Sequence, residues 1–130
     1  DYNRGEQKHK MKVSYEYDGS RFYIIRISKA DGLSKKFGTL IYLFGYSDKI
    51  PFAQMPKIRI ITRGRKFKIL DSRNPLKAQG VELSLNSREF LLKIPLGLLK
   101  DPDLIFISLK AYGAKPRVNS VGFRKVIIRR

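Results

Sequence analysis

Lys12-Val13-Ser14-Tyr15-Glu16-Tyr17-Asp18-Gly19-Ser20-Arg21-Phe22-Tyr23-Ile24-Ile25-Arg26-Ile27 is the stretch that decides the fold class. From Lys12 to Tyr17 polar and apolar side chains alternate, the period of a strand with one buried and one wet face. Asp18-Gly19 interrupts the pattern with two residues that tolerate positive φ, and the aromatic and β-branched run from Phe22 leads back. The spacing predicts a β-hairpin over residues 11–28.

The same grammar continues outward. Thr39 to Phe44 is apolar on both faces, which predicts a strand central in its sheet. Residues 47–56 read as a loop marked by Pro51 and Pro56, and Lys57–Arg63 with Lys66–Leu70 as a second hairpin about Gly64. Asp71 to Pro75 reads as a turn cluster, Val81–Leu85 and Arg88–Pro95 as strands, and Leu96–Leu99 as one tight turn. Leu104–Leu109 is expected to be a second central strand, and Gly122–Ile128 the last. About nine strands at this spacing predict an all-β fold, a two-sheet antiparallel β-sandwich of immunoglobulin-like or jelly-roll-like kind. No apolar repeat of helical period runs for three turns, and no linker divides the chain. Residues 1–130 are therefore expected to form a single domain, with residues 1–10 a flexible lead-in.

Composition limits the chemistry. The 130 residues suffice for one core without staples. They include no Cys, which excludes disulfides and thiolate nucleophiles. The single His, His9, lies in the polar lead-in, so a nucleophile–His relay and a typical zinc site lack their parts. Haem ligation by His9 with Met11 or Met55 has no pocket behind it. Asp18, Asp31, Asp71, Asp101 and Asp103 stand beside turn residues, where Asp serves its own backbone. The reading is a domain that is not an enzyme, with no catalytic residues, no metal and no cofactor. No apolar run is long enough to span a bilayer, and no signal-peptide pattern opens the chain. Asp1 in place of Met suggests a piece of a longer protein or a processed form, with an extracellular setting favoured.

The net charge of +17 points to anionic partners. Two blocks hold basic residues without an acid: residues 57–68, and residues 113–130 with Lys115, Arg117, Arg124, Lys125, Arg129 and Arg130. In the first, Lys57, Arg59, Arg63 and Arg65 share odd parity while Ile58 and Ile60 alternate with them, although Gly64 can reset the parity. Such a face suits phosphate or sulfate oxygens, and equally a solvated outer face or a guarded sheet edge. Tyr15 and Tyr17 share a face, as do Tyr42, Phe44 and Tyr46, and planar rings on a sheet can stack on sugars or bases or else fill the core. The candidate ligand-binding residues are Tyr15, Tyr17, Tyr42, Tyr46, Arg59, Arg63, Arg65 and Lys66.

Residues 13–27, a strand, Asp-Gly and an aromatic-rich strand, resemble the DOMON-like and family 9 carbohydrate-binding sandwiches. Val81–Leu85 and Phe90–Leu99, with Ile94-Pro95-Leu96, resemble their later elements, and Leu104–Leu109 the strand that follows. The paired Trp residues with which such modules often hold sugar ends have no counterpart, since the chain has no Trp. The resemblance implies a non-catalytic glycan-binding accessory module of a larger carbohydrate-active protein. Its expected partner is a polysaccharide or other anionic polymer. A nucleic-acid or other polyanion-binding module is the alternative. A structural domain packed against other domains of its parent chain is a third.

Overall fold

The computed structural model describes residues 11–72, 74–76, 80–113 and 118–128. Among the described residues, ten strands form two antiparallel sheets. In chain order they are β1 (Met11–Tyr17), β2 (Phe22–Lys29), β3 (Gly38–Tyr46), β4 (Lys57–Arg63), β5 (Lys66–Asp71), β6 (Asn74–Leu76), β7 (Glu82–Leu85), β8 (Glu89–Pro95), β9 (Leu104–Tyr112) and β10 (Val118–Ile127). One sheet has the order β1-β2-β8-β7 and the other β10-β9-β3-β4-β5-β6. Single 3-10 turns occupy Phe52–Gln54 and Leu96–Leu99. The all-β, two-sheet sandwich expected from the sequence is the architecture found.

The opening hairpin forms as its pattern requires, with Tyr17 opposite Tyr23. Asp18 closes its connection: the carboxylate accepts hydrogen bonds from the backbone N–H of Ser20 (2.8 Å), Arg21 (2.9 Å) and Phe22 (3.1 Å). Those bonds favour the charged form and hold the Asp18 pKa below its ordinary value. Gly19 takes φ +89°, which a side chain would resist.

β3 is indeed central, hydrogen-bonded to β9 on one side and β4 on the other. Its odd positions Ile41 and Leu43 point inward with Ile58 and Ile60 of β4 and Ile105, Ile107 and Leu109 of β9. They meet Tyr23, Ile25 and Ile27 of β2 and Phe90, Leu92 and Ile94 of β8 in one core. Each such aliphatic side chain removed from water contributes about 1.5–3 kcal/mol before chain entropy is counted. Phe37 reaches across the layers to set its ring edge-on to Phe90, centroids 5.5 Å apart.

Three boundaries differ from expectation. Asn74–Leu76 lies within the expected turn cluster, yet it pairs with β5 as an edge strand. Ser72 takes φ +55°, and a proline such as Pro75 is compatible with an edge. β9 runs on to Tyr112 and β10 starts at Val118, because Tyr112 finds partners in both Gly38 and Val118 although the surrounding residues carry no apolar alternation. The lead-in 1–10, with His9, lies outside the described residues, as do Lys115, Arg117, Arg129 and Arg130.

Candidate ligand-binding surface

The two outer faces of the sandwich differ in charge. On the four-stranded sheet, Lys12, Arg26 and Lys93 are matched by Glu16, Glu82 and Glu89. Arg26 bonds Glu16 at 2.8 Å and Glu89 at 3.1 Å, and Lys93 lies 3.9 Å from Glu82. On the six-stranded sheet the outward positions carry Lys57, Arg59 and Arg63 on β4, Lys66 and Lys68 on β5, Lys110 on β9 and Lys125 on β10. No acid stands among the described outward residues of that face.

The register explains the arrangement. Ile58, Ile60 and Thr62 are buried, so the odd positions of β4 face outward. Arg63 pairs with Lys66 across the two-residue turn Gly64-Arg65, where Gly64 has φ +60°, the first position that a type II′ turn reserves for glycine. Past that turn the parity resets, and the even positions Lys66 and Lys68 join the same face. Arg65 leaves it: from the turn its Nε donates to the Leu85 carbonyl, 3.3 Å away.

Aromatic rings interleave with the cations. Tyr42, Phe44 and Tyr46 project outward from β3, and Phe106 from β9. A depression of ≈ 530 Å³ lies among Tyr42, Phe44, Phe106, Lys57 and Arg59, with Ser72 and Ser108 at its margin. Tyr42 (43% exposed) and Tyr46 (37%) present their rings to solvent. Phe44 between them is covered: Phe52 stands 5.6 Å and Phe106 6.0 Å from its centroid, and the Lys57 ammonium 5.6 Å. Arg59 has a buried Nε with no hydrogen-bond partner among the described residues.

Of the candidate residues, Tyr42, Tyr46, Arg59, Arg63 and Lys66 are thus brought onto one surface. Tyr15 and Tyr17 are not, because both point into the sandwich and pack on the core. Tyr15 stacks against Tyr23, centroids 6.5 Å apart, and is capped by the Arg124 guanidinium at 5.1 Å. Burial raises the Tyr15 pKa while Arg124 opposes the rise. The second basic block is accordingly split, with Lys125 outward and Arg124 at the sandwich edge.

Sequence reading missed the cavity of ≈ 720 Å³ at one end of the sandwich. Three connections line it: Leu33–Lys36 between β2 and β3, Arg63–Lys66 between β4 and β5, and Leu85–Ser87 between β7 and β8. Lys35-Lys36 was the available signal, but its proximity to the other two turns follows only from the strand order. Among the described residues no group of three or more His, Cys, Asp or Glu is placed to hold a metal. No family model, no curated protein and no solved structure matches the chain.

Proposed function

We propose that this domain is a non-catalytic accessory module that binds acidic glycans along the outer face of its six-stranded sheet. The observation that carries the reading is the one-sided charge: cations interleaved with exposed tyrosines on one face, matched ion pairs on the other. A carboxylate- or sulfate-bearing chain finds charge-assisted hydrogen bonds from Arg59 and Arg63 and apolar ring faces at Tyr42 and Tyr46. Those tyrosines, four residues apart on β3, are separated by ~14 Å, since a strand rises about 3.4 Å per residue. Separated platforms suit sugar rings with hydroxyl partners between them, here Ser108 and Ser72 at the margin of the depression. Bases stacked in series use neighbouring platforms, and the intervening Phe44 is capped by Lys57. The likeness of residues 13–27, 81–85, 90–99 and 104–109 to DOMON-like and family 9 carbohydrate-binding sandwiches supports the same reading. A domain packed on its parent chain calls for an apolar face without a cleft, whereas this face is cationic and indented.

Affinity electrophoresis tests the proposal, with gels containing polygalacturonate, heparin or neutral starch, and single-stranded DNA and RNA in parallel titrations. The expected result is retardation by the acidic polysaccharides, weakened by salt as the Debye length falls toward 3 Å at about 1 M. Mobility unchanged by every acidic polysaccharide overturns it. Tighter binding to single strands, with a salt slope near −0.7 per neutralised phosphate, replaces it with a nucleic-acid role.

A further inference from the structure

The cavity at the end of the sandwich adjoins the outer face just described and shares Arg63 and Lys66 with it, but its construction is its own. Backbone bonds tie its walls together: Leu33 N–H donates to Ser87 O (2.8 Å) and Gly64 N–H to Phe37 O (2.8 Å). Gly64 permits the approach, for a Cβ there would stand 3.0 Å from the Lys35 carbonyl oxygen. The Arg65 bond to Leu85 O adds a link from the β4–β5 turn to the β7–β8 turn. Fixed walls make a pocket that is formed before a ligand arrives.

Its lining has three chemistries in separate places. Leu33 and Leu85, nearly buried, give an apolar floor. Ser34, Asn86 and Ser87 supply hydroxyl and amide groups. Lys35, Lys36, Arg63, Arg65 and Lys66 make a cationic rim, all exposed, with no acid in the lining and no ion pair to any of them among the described residues. A ligand complementary to all three is a ring with an apolar face, hydroxyl groups and an anionic oxygen group. We propose that this cavity is a second binding site, for a single acidic sugar ring bearing a carboxylate or sulfate. The choice of a sugar rests on the reading above, but the site uses none of Tyr42, Tyr46 and Arg59 of the sheet face. The ring is either a free acidic monosaccharide or one unit of a polymer, since the cavity is open to solvent on its rim.

The test is an amide-resolved NMR titration of the 15N-labelled domain with galacturonic acid, its trisaccharide, polygalacturonate and inorganic sulfate. Galacturonic acid is expected to shift the amides of residues 33–36, 63–66 and 85–87 and to leave those of residues 42–46 in place. Lys35→Glu/Lys36→Glu, at exposed loop positions, is expected to weaken this binding at least 10-fold with the rest of the spectrum unchanged. Arg65→Ala is expected to do the same, and the loop double variant keeps the test valid if loss of the Arg65 bond perturbs folding. Shifts with monomer and polymer alike identify a site for the ring from either source, and shifts with the trisaccharide and polymer alone identify a polymer unit. Absence of shifts at the three turns with every sugar overturns the second site, and shifts at residues 42–46 in that same experiment leave the sheet-face reading standing. Sulfate binding as tightly as the sugar acid overturns recognition of a ring.

Discussion

Tyr42 and Arg59 face each other across the β3–β4 ladder on the outer side of the six-stranded sheet. Tyr42 is 43% exposed, and the guanidinium beside it has a buried Nε without a hydrogen-bond partner among the described residues. One residue offers a platform and the other a planar fork of donors, so a single acidic sugar can use both. Arg59→Ala is expected to weaken retention on polygalacturonate by about 10–100-fold, the equivalent of 1.5–3 kcal/mol for a charged hydrogen bond. Tyr42→Ala is expected to cost about 10-fold. The double variant should lose less than the product of the two, because neighbours that share a ligand group couple. Strict additivity in affinity electrophoresis would mean that the two act on the ligand independently and share no ligand group.

Lys57 lies on the same face with a different duty. Its ammonium donates to the carbonyls of Phe52 (3.1 Å) and Met55 (3.2 Å) and stands 4.9 Å from the Phe52 ring centroid. It ties the 3-10 turn at Phe52–Gln54 to the sheet. Lys57→Met keeps the stem and removes the charge, so it is expected to lower stability by about 1 kcal/mol, the size of a net hydrogen bond and an exposed cation–π contact. Its effect on glycan retention should fall below that of Arg59→Ala. Urea midpoints and gel mobilities of the two variants, side by side, check the separation.

The strands were legible because their side chains alternate, and the two faces were legible only in part. Ile58 and Ile60 named the inner side of β4 from sequence alone, which placed Arg59 and Arg63 outside. Tyr15 and Tyr17 carry the same alternation, yet parity tells only that they share a side. Which side is wet depends on the partner sheet, and Tyr23 and Arg124 draw Tyr15 inward. The break in parity at Gly64 was foreseeable, whereas the turn that sends Arg65 toward Leu85 depends on a contact 20 residues away in sequence. The cavity was illegible for the same reason: its three connections meet because β7 and β8 belong to one sheet and β3, β4 and β5 to the other.

Thr39 and Thr62 share a polar island in the core. They are Cα partners across β3 and β4, their hydroxyls lie 2.8 Å apart, and the Thr39 N–H donates to Thr62 Oγ1 at 3.0 Å. Thr62→Val strands both the Thr39 hydroxyl and its N–H, each buried. Thr39→Val leaves Thr62 Oγ1 still accepting from the backbone. The first substitution is therefore expected to cost about 1–3 kcal/mol and the second less, since a buried group left unsatisfied bears its desolvation cost. Equal urea midpoints for the two variants would count against that asymmetry.

Tyr23 carries the inverse arrangement, a buried hydroxyl with no hydrogen-bond partner among the described residues. Burial raises its pKa above the ordinary tyrosine value of 10.0, and the neighbouring Tyr15 adds to the rise. The folded protein thus holds Tyr23 neutral where the unfolded chain would ionise it. A raised folded pKa means that this contribution to stability is complete below pH 10.0 and is lost as the pH climbs toward the folded value. The urea midpoint is expected to fall steadily above pH 10, with Tyr15 contributing in the same direction. Phe at position 23 has no proton to lose and no hydroxyl to desolvate. Tyr23→Phe should match or exceed the parent at pH 7, by up to about 1 kcal/mol, and show a shallower alkaline decline. A variant that is less stable at pH 7 and just as alkali-sensitive would mean that the hydroxyl has a partner and that the decline arises elsewhere.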